Sequence, residues 1–79
     1  MTSHALTLLS TAHCSLCEQA FDLLASMPEL RGSALRVLDI ADDAALVERY
    51  GERLPVLLVE GHELTWPFDA AAIVAVLAR

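Results

Sequence analysis

Apolar positions change their spacing along this chain, and each change marks an element. Ala5 to Leu9 is a short, nearly unbroken apolar run closed by Ser10 and Thr11, which suits a buried strand. From Ser15 the spacing lengthens. Leu16, Ala20, Leu23, Leu24 and Met27 recur at helical intervals, with Cys17 and Phe21 on a neighbouring stripe. Pro28 stops that helix and Gly32-Ser33 turns the chain. Ala34 to Ile40 then reads as a second strand, with Val37 and Ile40 as its β-branched members. Strand, helix and strand form a βαβ unit, expected to be parallel and right-handed.

The second half changes character. Asp42 or Asp43 caps a short helix carrying Leu46, Val47 and Tyr50, with Gly51 in the C′ position. Pro55 to Val59 is a strand, Glu60-Gly61 a tight turn, and His62 to Trp66 an answering strand, so a hairpin is expected. Asp69 is a suitable N-cap for a last helix whose apolar face carries Ile73, Val76 and Leu77. The order is β-α-β-α-β-β-α: a parallel pair and an antiparallel pair in one four-stranded mixed sheet, with helices on both faces. No repeat, low-complexity stretch or linker interrupts it, and residues 1–79 read as a single α/β domain.

At 79 residues the chain is near the lower limit for one unstapled core. Its 56% apolar share supports a packed interior and argues against disorder. Eleven Asp and Glu oppose five basic residues, all arginine, for a net charge of −6. That balance excludes a nucleic-acid surface, which needs clustered basic residues. It reads as a solvated acidic exterior. The longest uncharged apolar run, Ala70 to Ala78, is about half of a membrane span, so no membrane partner is expected. Ala5 to Leu9 is too short for a signal-peptide core and has no basic residue ahead of it, which makes a cytoplasmic location the expectation. Two cysteines in a reducing compartment do not serve as a permanent staple.

Their spacing is what matters. Cys14-Ser15-Leu16-Cys17 lies where the first strand gives way to the first helix. Residues three apart at a helix start share one face, about 5–6 Å from each other, a span that a disulfide bridges. Cys14 at the N-cap has its sulfur near the free amides of the first turn and the positive end of the helix dipole, and both favour thiolate. Cys17, one turn inside, is expected to be more buried and to act as the resolving thiol. Two other readings stay open at this level. Cys-x-x-Cys is also half of a tetrahedral zinc site, for which only His4, His13 and His62 could supply further nitrogen ligands, and none forms a second paired spacing. Two inert buried thiols are the other reading. His13, just ahead of Cys14, reads as an exposed loop residue, and Glu18 as a solvent-facing acid that complements the dipole.

With these residues in view the sequence resembles the glutaredoxin-like branch of the thioredoxin superfamily over nearly its whole length. The resemblance rests on Cys14-Ser15-Leu16-Cys17, on Arg53-Leu54-Pro55 before the third strand, and on Phe68-Asp69 at the last helix. Asp39-Ile40-Ala41-Asp42-Asp43 and Glu48-Arg49-Tyr50-Gly51 look like small bacterial members of unassigned substrate. It implies a thioredoxin-like, glutaredoxin-type fold and a thiol–disulfide oxidoreductase. In that role Cys14 is the nucleophile and Cys17 resolves, reducing protein disulfides or glutathione mixed disulfides. Pro55 matches the cis-proline beside the sulfurs, and Leu54 the residue whose main chain pairs with a bound thiol substrate. Phe68 and Asp69 match the helix start that receives the γ-glutamyl carboxylate of glutathione, leaving Arg53 for the glycine carboxylate.

The chain also departs from the family pattern. Ser15-Leu16 replaces the common Pro-Tyr, Trp66-Pro67 replaces a Gly-Gly, and no basic residue precedes Cys14. Weak glutathione binding is therefore expected. No metal and no bound cofactor are expected, with glutathione or a partner protein supplying electrons to a monomer. Two alternatives accompany the same resemblance: an iron–sulfur cluster carried through Cys14, and a redox-inactive domain used for protein contact.

Overall fold

The computed structural model describes residues 5–78. Its elements are β1 (Ala5–Ser10), α1 (Ser15–Ser26), a 3₁₀ turn at Pro28–Leu30, β2 (Ala34–Asp39), α2 (Ala44–Tyr50), β3 (Val56–Val59), β4 (His62–Thr65) and α3 (Ala70–Leu77). The sheet order is β2-β1-β3-β4. β1 runs parallel to β2 and antiparallel to β3, and β4 is antiparallel to β3. This is the four-stranded mixed sheet of a thioredoxin-like α/β fold, in the element order that the hydrophobic pattern predicts.

Alternation along the strands sorts the core into two layers. Leu6 and Leu8 of β1 lie opposite Val59 and Leu57 of β3, and these four pack with Ala20, Leu24 and Met27 from the first helix and its end. Phe68, Ile73 and Val76 complete the same cluster. The other face is thinner: Leu9 and Val56, again opposite one another, meet Ile40 and Tyr50. So α1 and α3 cover one face, α2 the other, and the central strands are buried on both sides, as their continuous apolar runs require.

Each helix starts at a side-chain cap. The Cys17 amide donates to Cys14 Sγ at 3.2 Å. Asp43, not Asp42, caps α2 by accepting from the Leu46 amide at 3.1 Å. Asp69 caps α3 by accepting from the Ala72 amide at 2.8 Å. Asp39 serves a turn instead, accepting from the Ala41 amide at 2.9 Å. The Glu60-Gly61 turn has φ of 50° and 79°, the left-handed pair that matches the twist of a two-residue hairpin.

Four details differ from the sequence reading. Gly51 is the C-cap of α2 in a right-handed conformation, φ −53°, rather than a left-handed C′ residue. It is required for space: a Cβ there would sit 2.5 Å from the Val47 carbonyl oxygen. The buried stripe of α1 is Cys17, Ala20 and Leu24, while Leu16 and Phe21 face outward. Val37 is exposed because β2 is the edge strand of the sheet. Val47 likewise points away from the core beneath α2.

Candidate functional site

The parallel strand β1 ends at Ser10, and a short loop delivers Cys14 to the N-cap of α1, one residue before its first helical position. Cys14 holds an extended backbone, φ −109° and ψ 102°, as an N-cap must. Its neighbour His13 has φ 59°, a left-handed conformation that histidine adopts more readily than most side chains. This turn points the chain into the helix. Cys14 and Cys17 form a disulfide, with Cα atoms 5.2 Å apart. Cys17 is buried against the core, whereas Cys14 is only half-buried. One sulfur therefore meets solvent and the other lies beneath it.

Strand pairing decides what else reaches this end of the sheet. Leu9 lies opposite Val56, so Pro55, one residue earlier, sits at the end of β3 beside the end of β1. Val56 in turn lies opposite Thr65, and the Trp66 amide donates to the Pro55 carbonyl at 3.2 Å. The segment Trp66 to Asp69 is thereby brought to the same end. Both the Leu54–Pro55 and Trp66–Pro67 peptides are cis. Pro55 is buried and Leu54 packs on the thinner core layer. Trp66 and Phe68 meet edge to face, ring centroids 5.1 Å apart.

Although these segments converge, they line separate hollows. A groove of about 560 Å³ contains both cysteines and runs between α1 and the β2 edge, past His13, Glu18, Phe21, Asp22 and Val37. Phe68 and Asp69 line a second hollow with Glu63 and Pro67. Arg53 lines a third, along α2. Phe21, Asp22 and Val37 join the groove although no sequence motif marks them. The spacing of Glu18, Phe21 and Asp22, at i, i+3 and i+4, was the signal that places them on one helix face.

Arg53 is committed elsewhere. Its Nη2 donates to the Arg49 carbonyl at 2.8 Å, and its guanidinium lies 5.5 Å from the centre of the Tyr50 ring. A cation at that place complements the negative end of α2. Beside it the Tyr50 hydroxyl donates to Glu63 Oε1 at 2.5 Å, and Arg49 pairs with the same oxygen at 3.5 Å. The bond to Glu63 holds the Tyr50 phenol above its ordinary pKa of 10.0, aided by burial and opposed by the two arginines.

Among the described residues no group of three or more His, Cys, Asp or Glu is placed to hold a metal ion. His4, which could supply a nitrogen ligand to a zinc site, lies outside them. Also among the described residues, no helix is long and apolar enough to cross a membrane.

Comparison with solved structures gives the setting. The X-ray structure of target protein XcR50 from X. campestris is 46% identical, with a TM-score of 0.77 over 92% of this chain and 95% of that one. Its solution structure gives 47% and 0.76, over 94% and 92%. Protein Ne2328 from Nitrosomonas europaea is 26% identical with a TM-score of 0.81, over 96% and 93%. No curated protein matches. A family model, the glutaredoxin-like domain (DUF836), matches residues 5–78. A domain of that kind with a Cys-x-x-Cys pair on a strand–helix junction fits a thiol oxidoreductase. The chain belongs to the glutaredoxin-like domain family.

Proposed function

We propose that this protein is a dithiol reductant of protein disulfides, with Cys14 as nucleophile and Cys17 as resolving thiol. One observation carries the reading: a half-exposed sulfur at a helix N-cap is bonded to a buried sulfur one turn inside. In the reduced form, the Cys14 thiolate attacks one sulfur of a substrate disulfide. That S–S bond breaks, and the departing thiolate leaves with the electron pair and takes a proton. The Cys17 thiolate then attacks Cys14 Sγ, closes the Cys14–Cys17 bond and releases the second substrate thiolate, which is protonated in turn. The substrate gains two electrons and two protons, and the cysteine pair is oxidised. A dithiol or glutathione returns the electrons.

The helix start serves this sequence by stabilising negative charge on Cys14 through its amides and dipole. Leu54 and Pro55 lie at the same end of the sheet, beside the end of β1, without lining the cysteine groove. Arg53, Phe68 and Asp69 stand at hollows other than the cysteine groove, and Arg53 is bonded to α2. We therefore rank protein disulfides ahead of glutathione mixed disulfides as substrates.

A redox titration in glutathione buffers, with free thiols counted by mass after alkylation, tests the reading. Cys14 and Cys17 should disappear together in one two-electron step. Thiols that persist at every ratio, or two cysteines glutathionylated independently, would overturn it.

A further inference from the structure

The groove that holds the two sulfurs also carries the features that would choose what meets them. Its volume of about 560 Å³ suits a few side chains of a docked segment. Its apolar surface is open: Phe21 on α1 is 43% exposed and Val37 on β2 is 48% exposed. Glu18 and Asp22 stand beside Phe21, one helical turn apart, a spacing at which like charges repel each other. Neither acid has a salt-bridge partner among the described residues, in contrast to Glu63, which has Arg49. Among the described residues no arginine lines the groove. Arg36 precedes Val37 in β2, and strand alternation turns it to the opposite face.

Apolar surface and two carboxylates without a salt-bridge partner among the described residues therefore adjoin the half-buried Cys14. We infer that this groove docks a cationic peptide segment, with an arginine or lysine near the disulfide cysteine and an apolar residue between them, and so selects basic protein disulfides over anionic small ones. Such a segment would lay its apolar side chain on Phe21 and Val37, and its cation would relieve the repulsion between Glu18 and Asp22. Glutathione, with two carboxylates and one ammonium, meets the wrong sign of charge here. The inference rests on dithiol exchange at Cys14 and adds its substrate class.

The test uses the reduced full chain and two synthetic peptides, each with one cysteine carried as a 2-pyridyl mixed disulfide and a leucine at its side. One peptide is flanked by arginines, the other by glutamates. Release of neutral thiopyridone reports attack by the protein in a single turnover, so no reductase is needed. At low ionic strength the cationic peptide should react about tenfold faster or more, the ratio falling as salt is added. Glu18→Gln with Asp22→Asn should bring the ratio near one. Glu48→Gln with Glu52→Gln, the same change in net charge on the α2 side, should leave most of it.

A ratio near one in the native protein overturns the inference, as does a ratio unmoved by the groove substitutions. So does an equal loss from the α2 pair, which would assign the effect to net charge alone. Neutral dithiodipyridine keeps the two readings apart. No reaction with it, and no Cys14–Cys17 bond formed, defeats the exchange reading itself. Normal reaction with it, and no preference between the peptides, defeats only the docking inference.

Discussion

The two faces of the sheet are held together in different ways. On the α1 and α3 side the core is deep and wholly apolar, and Leu8, Leu57, Ala20 and Ile73 are fully enclosed. The surface acids above it, Glu18 and Asp22, have no salt-bridge partners among the described residues. On the α2 side only Leu9, Ile40, Tyr50 and Val56 form the buried cluster. There the polar groups are tied together: Tyr50 to Glu63, Glu63 to Arg49, and Arg53 to the end of α2. The difference teaches that bulk apolar burial leaves polar groups uncommitted, so the reactive junction sits on the side whose stability does not depend on them. On the α2 side Arg49, Tyr50, Arg53 and Glu63 are committed to structure. If this is right, the cysteines can be altered without unfolding the domain, while the α2 cluster contributes to stability and not to exchange.

The largest effect is expected from Cys14→Ser. Serine is a strong N-cap, so α1 should start where it does now and the thermal midpoint of the reduced protein should hardly move. Thiol–disulfide exchange should fall to the uncatalysed background in both the dithiodipyridine and the peptide assays. Loss of the fold along with the activity would break the separation drawn above. Cys17→Ser comes next. Cys14 alone can still form a mixed disulfide, so the first step should survive and the covalent adduct should accumulate, visible by mass. Reduction of a protein disulfide should be lost, together with most turnover of a glutathione mixed disulfide. Strong retained activity on the glutathione substrate would show that Arg53 and the Asp69 helix start do bind it.

These sites were legible in the sequence to the extent that their causes are local. Cys14 and Asp69 are caps, and a cap is set by the residue and the few amides after it. The Glu60-Gly61 hairpin follows from two adjacent left-handed positions. What failed was non-local. Two apolar stripes run along α1, Leu16 with Ala20 and Leu24 and Cys17 with Phe21, and helical period alone does not say that the buried face takes Cys17, Ala20 and Leu24 while Leu16 and Phe21 turn outward. Placement of β1 and β3 beneath the helix decides it. Val37 is exposed because β2 is left at the edge of the sheet, with β3 and β4 both on the far side of β1. The separation of Arg53 from the cysteine groove depends on α2, whose end supplies the carbonyl and the ring that hold the guanidinium. A sequence pattern does not contain that placement.

A pair of truncations measures the depth of the two faces. Leu24 is 2% exposed in the larger cluster, and Leu24→Ala should destabilise the domain by about 2–5 kcal/mol. Leu46 only packs against the rim of the smaller cluster, and Leu46→Ala should cost roughly 1 kcal/mol. Denaturant midpoints at equal slope give both values. Equal losses would mean that the α2 face is as deep as the other and that its polar ties are incidental.

The smallest effect is expected from Tyr50→Phe, and its pH dependence is what identifies it. The bond to Glu63 raises the phenol pKa in the folded state above 10.0, so the native protein holds this proton more tightly than the unfolded chain does. The contribution is therefore complete below about pH 10 and is lost as pH rises through the folded value. The setting makes this readable, because Tyr50 is the single tyrosine and the chain has no lysine. With the disulfide closed neither cysteine titrates. Alkaline loss of stability in the oxidised protein should thus follow one group, tracked by tyrosinate absorbance. Tyr50→Phe should be less stable than the native protein at neutral pH, and the gap should close above pH 10 as the native form ionises. Exchange at Cys14 should be unchanged by the substitution, because no part of the α2 cluster lines the cysteine groove. A gap that persists at high pH would mean that ring packing, not the phenol–carboxylate bond, is what Tyr50 supplies. A slowed exchange rate would couple the two faces and undo the contrast between them.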